Sequence, residues 1–385
     1  MYFKCVTGLL NRLKPFRLKA ELSQQELAGL AGISRQAYSA LESGSANPST
    51  QVALRLAKAL GTNVDSLFSL AEDLHEELQA ELIGGDIPGA ISAAPEYPSR
   101  VQVMRVGGRL LARTLSGVWA TRQTLVDAEG LMLSGPGPGN RVLVQPYDPG
   151  EMATPSLCLM GCDPAGALLE QGLRRRGVRL VWSEEGSHQA LEGLARREAH
   201  VAGCHLKDDA TGLYNLSWVS RLVPFPCTLV TFATWQQGLM VAPGNPKEIQ
   251  SVADLARPEV KIVNRQLGSG SRALLDRLLE ANGIPHDAVA GYQQEARGHL
   301  AVASAIACGL VDAGIGVAAA AGATGLGFVP LEQERYDLVI PNHFLDEPGV
   351  QVLLDLLRQP VLQHRVESLG GYDVSSMGLT VSDDY

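Results

Sequence analysis

Hydrophobic and polar positions divide the chain into a helical beginning and an alternating remainder. From residue 11 to residue 70, apolar residues recur with helical spacing, and glycines at 32, 44 and 61 interrupt the pattern. From residue 156 onward, short apolar runs alternate with helical segments, which predicts strands joined by helices and hence parallel-sheet cores. Between them, residues 100–150 contain short apolar runs about Gly107-Gly108 and other glycine-rich turns, which predicts a β-rich lead-in.

These patterns predict an all-α helix-turn-helix head followed by a two-lobed α/β body. The length of 385 residues is that of two or three domains. The predicted divisions are a head at 1–70, an acidic helix and linker at 71–99, and a body at 100–385. Within the body we expect the lead-in at 100–150, lobe I near 151–225 and 318–385, and lobe II near 226–317.

Two helices in the head are joined by a very short turn. Ser23 is a preferred N-cap residue, and Glu26 three positions later completes a capping box. Ser34 opens the second helix directly after the turn at Gly32. Such a pair can place its second helix in the DNA major groove, while a polar residue on the first helix contacts a phosphate. The predicted DNA-contacting residues are Gln24, Ser34, Arg35, Gln36, Tyr38 and Ser39, and Ala37, Ala40 and Leu41 are predicted to face the core.

The sequence of the head resembles the Cro/phage-repressor (Xre-type) helix-turn-helix family. The resemblance covers residues 12–68 and is carried by five segments: Leu22–Ala28, Gly32–Arg35, Leu41–Gly44, Asn47–Ser49 and Leu56–Gly61. It implies that the partner is a double-stranded DNA operator. The alternative is a small helical bundle that contacts proteins.

Charge is distributed unevenly between head and body. The net charge is −9, yet residues 1–70 contain eight basic and four acidic residues, giving +4 and leaving −13 for the rest. A basic head on an acidic body fits nucleic-acid binding by the head alone. No apolar run approaches a membrane span and no secretory signal is evident, so we expect a cytoplasmic protein without a membrane partner. The six scattered cysteines are expected to be reduced.

An acidic connector follows the head. Residues 71–96 contain seven acidic and no basic residues, and leucines at 67, 70, 74, 78 and 82 form one apolar seam of a predicted helix. This helix either packs on the head or forms a dimer contact, and the pattern leaves both open. A homodimer is attractive because helix-turn-helix proteins commonly bind paired half-sites.

The turn at Gly268-Ser269-Gly270-Ser271-Arg272 carries the clearest binding chemistry in the body. Its glycines allow close approach of the backbone, its serines offer hydroxyls, and the helix that follows presents unpaired N–H groups. Arg272 is expected to add positive charge. The turn has neither a P-loop nor a dinucleotide fingerprint, so we expect an oxyanion rather than a nucleotide.

The body resembles type 2 periplasmic binding proteins, and especially the cytoplasmic version fused to Xre-type heads in bacterial regulators. The resemblance covers about residues 156–340, and the motifs that carry it are Gly203–Leu206, Tyr214-Asn215, Gly244–Pro246, Lys261–Arg265, Gly268–Arg272, His299–Ala303 and Asp312–Gly316. It implies a ligand cleft between two lobes and an oxyanion effector such as molybdate, with no other cofactor. Ser271 stands where the family usually has Thr, and Lys207-Asp208-Asp209 replaces a more apolar segment.

Further site residues are predicted where strands end. They are Cys162, Asp163, Ser187, His205 and His299. His205 is interpreted equally as an anion donor or a core residue, and His299, at a helix start, as a neutral ring. Asp163 and Ser187 also suit helix caps.

Two other functions remain open from the sequence. A metal sensor could use Cys162, Cys204, His188 and His205, because thiolate and imidazole suit zinc or copper. An enzyme could use Cys162 as nucleophile and His205 as base. Neither constellation is demanded by spacing, and we expect a regulator and not an enzyme.

Overall fold

The computed structural model describes residues 9–20, 22–70, 77–84, 98–115, 126–150, 152, 154–208 and 210–381. These residues form two compact units. The first contains those before residue 154 except 104–111 and 126, which belong with the second, the unit that continues to the C-terminus. Within the described ranges, no helix is both long and apolar enough to span a membrane.

The head is helical, as predicted, and a two-stranded ribbon closes it. Strand β1 pairs antiparallel with β2, which joins the two ends of the domain. Leu13, Leu27 and Leu56 are fully buried in one apolar core shared by the helices. The elements are β1 (Leu9–Asn11), α1 (Leu13–Lys19), α2 (Gln24–Ala31), α3 (Arg35–Glu42), α4 (Thr50–Ala59), α5 (Val64–Leu67) and β2 (Phe68–Leu70).

The helix-turn-helix pair is formed by α2 and α3, and the predicted caps are confirmed. Ser23 Oγ accepts from the Glu26 amide at 3.2 Å, and the Glu26 carboxylate accepts from the Ser23 amide at 2.8 Å. Ser34 Oγ accepts from the amide of Ala37 at 3.1 Å. Gly32, with φ +69°, ends α2 in the left-handed region that glycine adopts most readily.

Glu42, at the end of α3, is the polar centre of the head. Its carboxylate accepts from Arg17 Nε at 2.8 Å, from the Tyr38 hydroxyl at 2.8 Å and from the Gln24 amide at 3.0 Å. The hydrogen bonds from Arg17 outweigh the effect of burial and lower the pKa of Glu42 to about 2. Glu42 therefore carries a charge in the folded head and ties α1, α2 and α3 together.

The structure differs from the sequence prediction in which side chains of α3 are buried and which are exposed. Tyr38 was predicted to contact DNA, but its ring is fully buried in the apolar core of the head, and its hydroxyl donates to Glu42. Ala37, predicted to lie in the core, is exposed. Gln24 is half-buried, with its amide turned to Glu42. The predicted residues left exposed on this motif are Ser34, Arg35, Gln36 and Ser39.

A closed five-stranded barrel follows the head. Its strand order is β3-β5-β4-β6-β7 with β7 returning to β3, and the predicted hairpin about Gly107-Gly108 joins β4 to β5. The strands are β3 (Leu78–Ile83), β4 (Ser99–Val106), β5 (Arg109–Thr114), β6 (Gly130–Met132) and β7 (Arg141–Pro146).

The prediction of a helix through the acidic connector is wrong where the structure describes it. Residues 78–83 form β3, which pairs with β7 from Leu78 opposite Val144 to Glu81 opposite Arg141. Pairing of the backbone in the closed barrel overrides the helical spacing of the leucines. Residues 71–76 lie outside the described residues.

The body is built on one mixed nine-stranded sheet. Parallel strands β8, β9 and β10 form a first half-sheet, and parallel strands β12, β13 and β14 form a second. The predicted parallel cores are therefore present, but they are continuous through two long antiparallel strands, β11 and β15. The strands are β8 (Ser156–Met160), β9 (Arg179–Ser183), β10 (Val201–Cys204), β11 (Cys227–Val241), β12 (Ile262–Arg265), β13 (Glu295–Ala296), β14 (Ala313–Val317), β15 (Gly327–Pro341) and β16 (Tyr372–Asp373).

Strands β11 and β15, here called the crossing strands, connect the two half-sheets. The chain leaves the first half-sheet along β11, which pairs with β14, and returns along β15, which pairs with β10. Their mutual register is interrupted between Thr231 and Ala233 and again between Gln237 and Gly238. The helices that cover the sheet are α6 (Gly166–Arg174), α7 (Ser187–Ala195), α8 (Leu216–Leu222), α9 (Gly270–Ala281), α10 (His299–Ala307), α11 (Ala318–Thr324), α12 (Pro348–Leu357) and α13 (Pro360–Glu367).

The charge on Glu42 makes the stability of the head depend on pH. Its pKa in the folded state is below the ordinary value of 4.5, so its contribution is complete above about pH 4.5 and is lost as the pH falls toward 2. We expect Glu42→Gln to destabilise the head at pH 7 by on the order of 1–3 kcal/mol, the range for hydrogen bonds to a buried charge. Hydrogen exchange over residues 13–67 of the full chain measures this.

Measuring both proteins over a range of pH tests whether the charge on Glu42 causes the difference in stability. The difference between wild type and Glu42→Gln should shrink as the pH is lowered from 4.5 toward 2, because the wild-type carboxylate is then protonated as well. Glu367→Gln is the control, since the Glu367 side chain is 64% exposed. A difference that stays constant down to pH 2 contradicts the assignment of the charge to Glu42.

Candidate functional site

Four buried polar side chains meet beyond the carboxyl ends of strands in the body. Cys162 follows β8, His205 follows β10, Arg265 ends β12, and His299 begins α10 after β13. All four are 1% exposed or less. In sheets with parallel strands, ligands commonly bind at these strand ends, so the location itself suggests a binding site.

Three of the predicted residues lie within reach of one another. The Cys162 sulfur is 3.5 Å from His205 Nε2. The side-chain donor atoms of Cys162, His205 and His299 all lie within 4.8 Å of each other. The sequence placed these residues on three separate segments, and the fold brings them together.

His205 is held rigidly from its other ring nitrogen. Nδ1 lies 2.8 Å from a Glu334 carboxylate oxygen, and the same oxygen accepts from the Trp235 indole at 3.3 Å. Burial opposes the charged ring, but the charges of Cys162 and Glu334 outweigh it and raise the pKa of His205 to about 10. On the Glu334 side His205 is therefore a satisfied core residue, as one of the two readings predicted, and its role as an anion donor stays a prediction.

His299 has unsatisfied hydrogen-bonding capacity. Neither of its ring nitrogens has a hydrogen-bond partner among the described residues, and the side chain is fully buried. Burial, together with the charges of Arg265 and His205, lowers the pKa of His299 well below its ordinary value. The predicted neutral ring is thus supported, although its main cause is burial.

Arg265 is the site residue that the sequence analysis missed. It is fully buried, and none of its three guanidinium nitrogens has a hydrogen-bond partner within the described part of the chain. Burial lowers the pKa of Arg265, while the charges of Cys162 and Glu184 and a side-chain contact with the Cys162 sulfur, longer than a regular hydrogen bond, raise it. The available signal was an arginine directly after the apolar pair Ile262-Val263 and Asn264 in a short, buried strand, a place where a charged side chain is costly unless it has a partner.

Arg272, predicted to supply the positive charge, is paired elsewhere. Its guanidinium donates to Glu295 at 2.8 Å and to the Arg265 carbonyl at 3.2 Å, and it lies over the Tyr292 ring. That part of the prediction is wrong, because Glu295 lies close in space although distant in sequence. Arg265 holds the unpaired positive group instead.

The serine-glycine bend itself lines an opening. Ser269 Oγ caps α9 by accepting from the Arg272 amide, and Ser271 Oγ accepts from Gln237 at 2.9 Å. Gly268 has φ +83°, in the left-handed region. A cavity of about 230 Å³ is lined by residues that include His188, His205, Lys207, Trp218, Gly268, Ser269, Gly270 and Arg272. The bend is therefore neither packed away from solvent nor remote from His205.

Two predicted capping residues support neighbouring parts of the site. Ser187 is the first residue of α7 rather than its cap, and its hydroxyl accepts from the His205 amide at 3.2 Å. Asp163 accepts from the Ala165 amide at 2.8 Å, as a cap would, and from the Tyr372 hydroxyl at 2.6 Å. Burial raises the pKa of Asp163 to about 6.

Glycines make room for the buried rings. A Cβ on Gly270 would lie 2.5 Å from His205 Cε1, so the imidazole packs directly on the backbone of α9. A Cβ on Gly161 or Gly203 would overlap the Tyr336 hydroxyl, which has no hydrogen-bond partner among the described residues. His205 and Tyr336 can therefore occupy their observed positions only because the residues packed against them are glycines.

Contacts between the two half-sheets surround the site. Arg297, just before α10, donates to Glu185 at 3.0 Å. Gln189 on α7 donates to the Leu267 carbonyl at 2.9 Å. Glu332 on β15 accepts from both Lys207 and Arg277 at 2.5 Å. Segments from the first half-sheet are therefore bonded to segments from the second around Cys162, His205, Arg265 and His299.

The alternative sets of residues are only partly assembled. Of the proposed metal ligands, Cys162 and His205 meet, but His188 is paired with Glu192, and His299 completes the group in place of Cys204. Burial raises the pKa of the Cys204 thiol, so this cysteine behaves as an apolar residue. The proposed nucleophile and base, Cys162 and His205, are also in contact.

The close contact between Gly270 and His205 predicts that an added methyl group will lower the stability of the body. Gly270→Ala places a methyl group against the His205 ring and should destabilise the body by about 1–3 kcal/mol through overpacking. The matched control is Gly322→Ala in α11, where no atom lies within 4 Å of the added Cβ, and the change should be neutral or stabilising by up to about 1 kcal/mol. Thermal unfolding of both variants measures the difference, and equal effects would contradict the packing.

Comparison with protein families and curated proteins supports this architecture. A helix-turn-helix family profile matches residues 13–67, and a PBP superfamily domain profile matches residues 170–358. Protein YvgK of Bacillus subtilis is 33% identical over 198 residues, which is 51% of this chain and 64% of that protein, so the chain spans a little under two thirds of its length. The HTH-type transcriptional regulator MJ0272 of Methanocaldococcus jannaschii is 36% identical over 63 residues, 16% of this chain and 96% of that protein.

Solved structures match a little over half of this chain at low sequence identity. A phosphate ABC transporter substrate-binding protein from Clostridium perfringens matches with a TM-score of 0.43 and 11% identity, covering 56% of this chain and 98% of that one. The sulfate-binding protein SubI from Mycobacterium tuberculosis matches with a TM-score of 0.42 and 14% identity, covering 57% and 86%.

The head and the body thus have separate matches. The capped helix pair of the head agrees with the match at residues 13–67, and the mixed sheet with its crossing strands spans the match at residues 170–358. The chain belongs, through residues 13–67, to the helix-turn-helix transcriptional regulators, and its α/β body matches the PBP superfamily domain over residues 170–358.

Proposed function

We propose that this regulator senses a small oxyanion bound beside Arg265. The observation that carries the proposal is the fully buried guanidinium of Arg265, whose three nitrogens lack hydrogen-bond partners among the described residues. A buried charged group without such partners is unfavourable by several kcal/mol, so proteins normally provide a partner for it. A bound anion would be that partner.

His299, which lies close enough to Arg265 to feel its charge, and Tyr336, which lies beside His205, suit a ligand that only accepts hydrogen bonds. His299 is neutral and can donate one N–H, and the Tyr336 hydroxyl is buried without a partner within the described ranges. Guanidinium, imidazole and hydroxyl donors are those that typically bind oxyanions. Molybdate is the oxyanion implied by the sequence resemblance, and tungstate, sulfate and phosphate have the same tetrahedral shape.

The anion would act by favouring one arrangement of the two half-sheets. Arg265 and His299 belong to the second half-sheet, and Cys162 and His205 belong to the first. A ligand that contacts both favours the arrangement in which Arg297 reaches Glu185 and Gln189 reaches Leu267. Coupling to the head requires that this arrangement binds the anion more tightly than any other.

The DNA-binding face would be the start of α3. Ser34, Arg35, Gln36 and Ser39 are exposed there, whereas the amide of Gln24 at the start of α2 is already bonded to Glu42. The N-terminal residues of a recognition helix are those that reach base edges. We propose that two copies bind paired half-sites, and that the protein acts in the cytoplasm, where the operator is.

The anion proposal predicts opposite effects of one substitution on stability and binding. Arg265→Met removes the buried charge at similar volume, so the protein without anion should unfold at the same or a higher temperature. The same variant should lose at least tenfold in anion affinity, because its main donor is gone. Calorimetry with molybdate, tungstate, sulfate and phosphate on the full chain measures affinity.

Arg174→Met is the control for this experiment, since the Arg174 side chain is 79% exposed and lies on α6. It should bind anions like the wild type. Wild-type affinity in Arg265→Met, or no binding of any of the four anions to the wild type, would overturn the proposal.

If the start of α3 contacts DNA, a substitution there should weaken operator binding more than the same substitution elsewhere. Arg35→Ala should weaken binding to duplexes selected from a random pool by about 1–3 kcal/mol, the range for one side-chain contact to a base pair. Arg174→Ala removes the same charge from the body and should leave affinity unchanged. Fluorescence anisotropy at fixed salt measures both, and equal losses would show that only net charge matters.

A further inference from the structure

We infer that Cys162, His205 and His299 form a site for a thiophilic divalent cation of the zinc class, with the anion as its fourth ligand. The inference deepens the proposed function and rests on it, because the anion that Arg265 attracts is the species that would complete the coordination shell. It assigns a task to the sulfur of Cys162, which anion binding alone does not use.

The geometry of the three donors is that of a metal site. One sulfur and two imidazole groups place their donor atoms within 4.8 Å of one another, and the Cys162 sulfur lies 3.5 Å from His205 Nε2. Thiolate and imidazole together are the donor set that zinc prefers. All three side chains are buried, so their spacing is fixed by packing.

The surroundings of His205 orient it as a ligand. Glu334 holds Nδ1 at 2.8 Å and is itself held by the Trp235 indole at 3.3 Å, which turns Nε2 toward Cys162. A cation bound at Nε2 would displace the proton that this nitrogen carries in its absence, and the proton would be released to solvent. A carboxylate behind a histidine is the usual support of metal-binding imidazoles, because it fixes the tautomer and the ring direction. The shared carboxylate oxygen gives the site this support.

The unpartnered His299 favours a metal site over a catalytic cysteine–histidine pair. A thiol–imidazole pair for covalent catalysis is already complete with Cys162, His205 and Glu334. It leaves both nitrogens of the buried His299 without a partner among the residues described. A cation bound by all three side chains uses His299 as well.

Arg265 sets the nature of the fourth ligand. Three protein ligands leave one tetrahedral position of zinc open. A guanidinium beside a bare dication would be repelled, whereas an anion bound between the two is attracted to both. The fully buried nitrogens of Arg265 are the donors available to that anion.

Cobalt(II) provides the direct test, because it reports its own coordination. Metal-free full-length protein, prepared with a chelator, is titrated with Co²⁺ alone and then with molybdate. We expect tetrahedral d–d bands and a thiolate-to-cobalt charge-transfer band. Cys162→Ser should abolish the charge-transfer band, and Glu334→Gln should weaken binding about 10- to 100-fold while keeping that band. Molybdate should shift the d–d bands of the wild type but not of Arg265→Met.

Matched controls guard against adventitious binding. Cys308 is an exposed cysteine and His364 an exposed histidine, so Cys308→Ser and His364→Gln should bind Co²⁺ like the wild type. Absence of the bands in the wild type, or their loss in Cys308→Ser, overturns the metal site. Bands that do not respond to any of the four anions overturn the anion as fourth ligand.

The two proposals fail separately. Calorimetry with the same anions in the presence of chelator measures anion binding without metal. Anion binding of equal affinity with and without metal retains the proposed function and overturns the coupled site. Cobalt bands in a protein that binds no anion retain the cation site and overturn the proposed function.

Discussion

A guanidinium group buried where two half-sheets meet is the constraint on which the interpretation of the body depends. Arg265 ends a strand whose other residues belong to the core, and its nitrogens lack partners among the described residues. The free energy of burying such a group must be offset by packing elsewhere or by a bound partner. The apolar residues under β12 and α9 form a core cluster in the second half-sheet and stabilise the strand that carries Arg265.

The sequence was sufficient where structure is determined locally. The capping box of Ser23 and Glu26 and the turn at Gly32 are short-range signals, and they predicted the helix-turn-helix correctly. The phase of α3 was not predictable in this way, because Tyr38 packs in the apolar core of the head and donates to a carboxylate that also binds Arg17, 25 residues away. Likewise, the leucines at 78 and 82 have helical spacing, but the partner strand β7 determines their structure.

The sequence predicted where most of the site residues lie along the chain, but not which charged side chains pair with one another. Cys162, His205 and His299 were expected at strand ends, and parallel strands bring such ends together. Arg272 was expected to supply the positive charge, but it pairs with Glu295, 23 residues away, and no local pattern reveals that pairing. Glu334 was missed for a similar reason, since it lies on β15, far along the chain from His205.

The two irregular points in the crossing strands have a consequence for how this domain can change over evolution. Between Thr231 and Gly238 the strand carries Trp235, which supports Glu334, and Gln237, which bonds Ser271. The segment that joins the two half-sheets therefore also supports side chains of the candidate site. A substitution that adapts these residues to a different ligand would therefore also alter contacts along the strand that joins the two half-sheets.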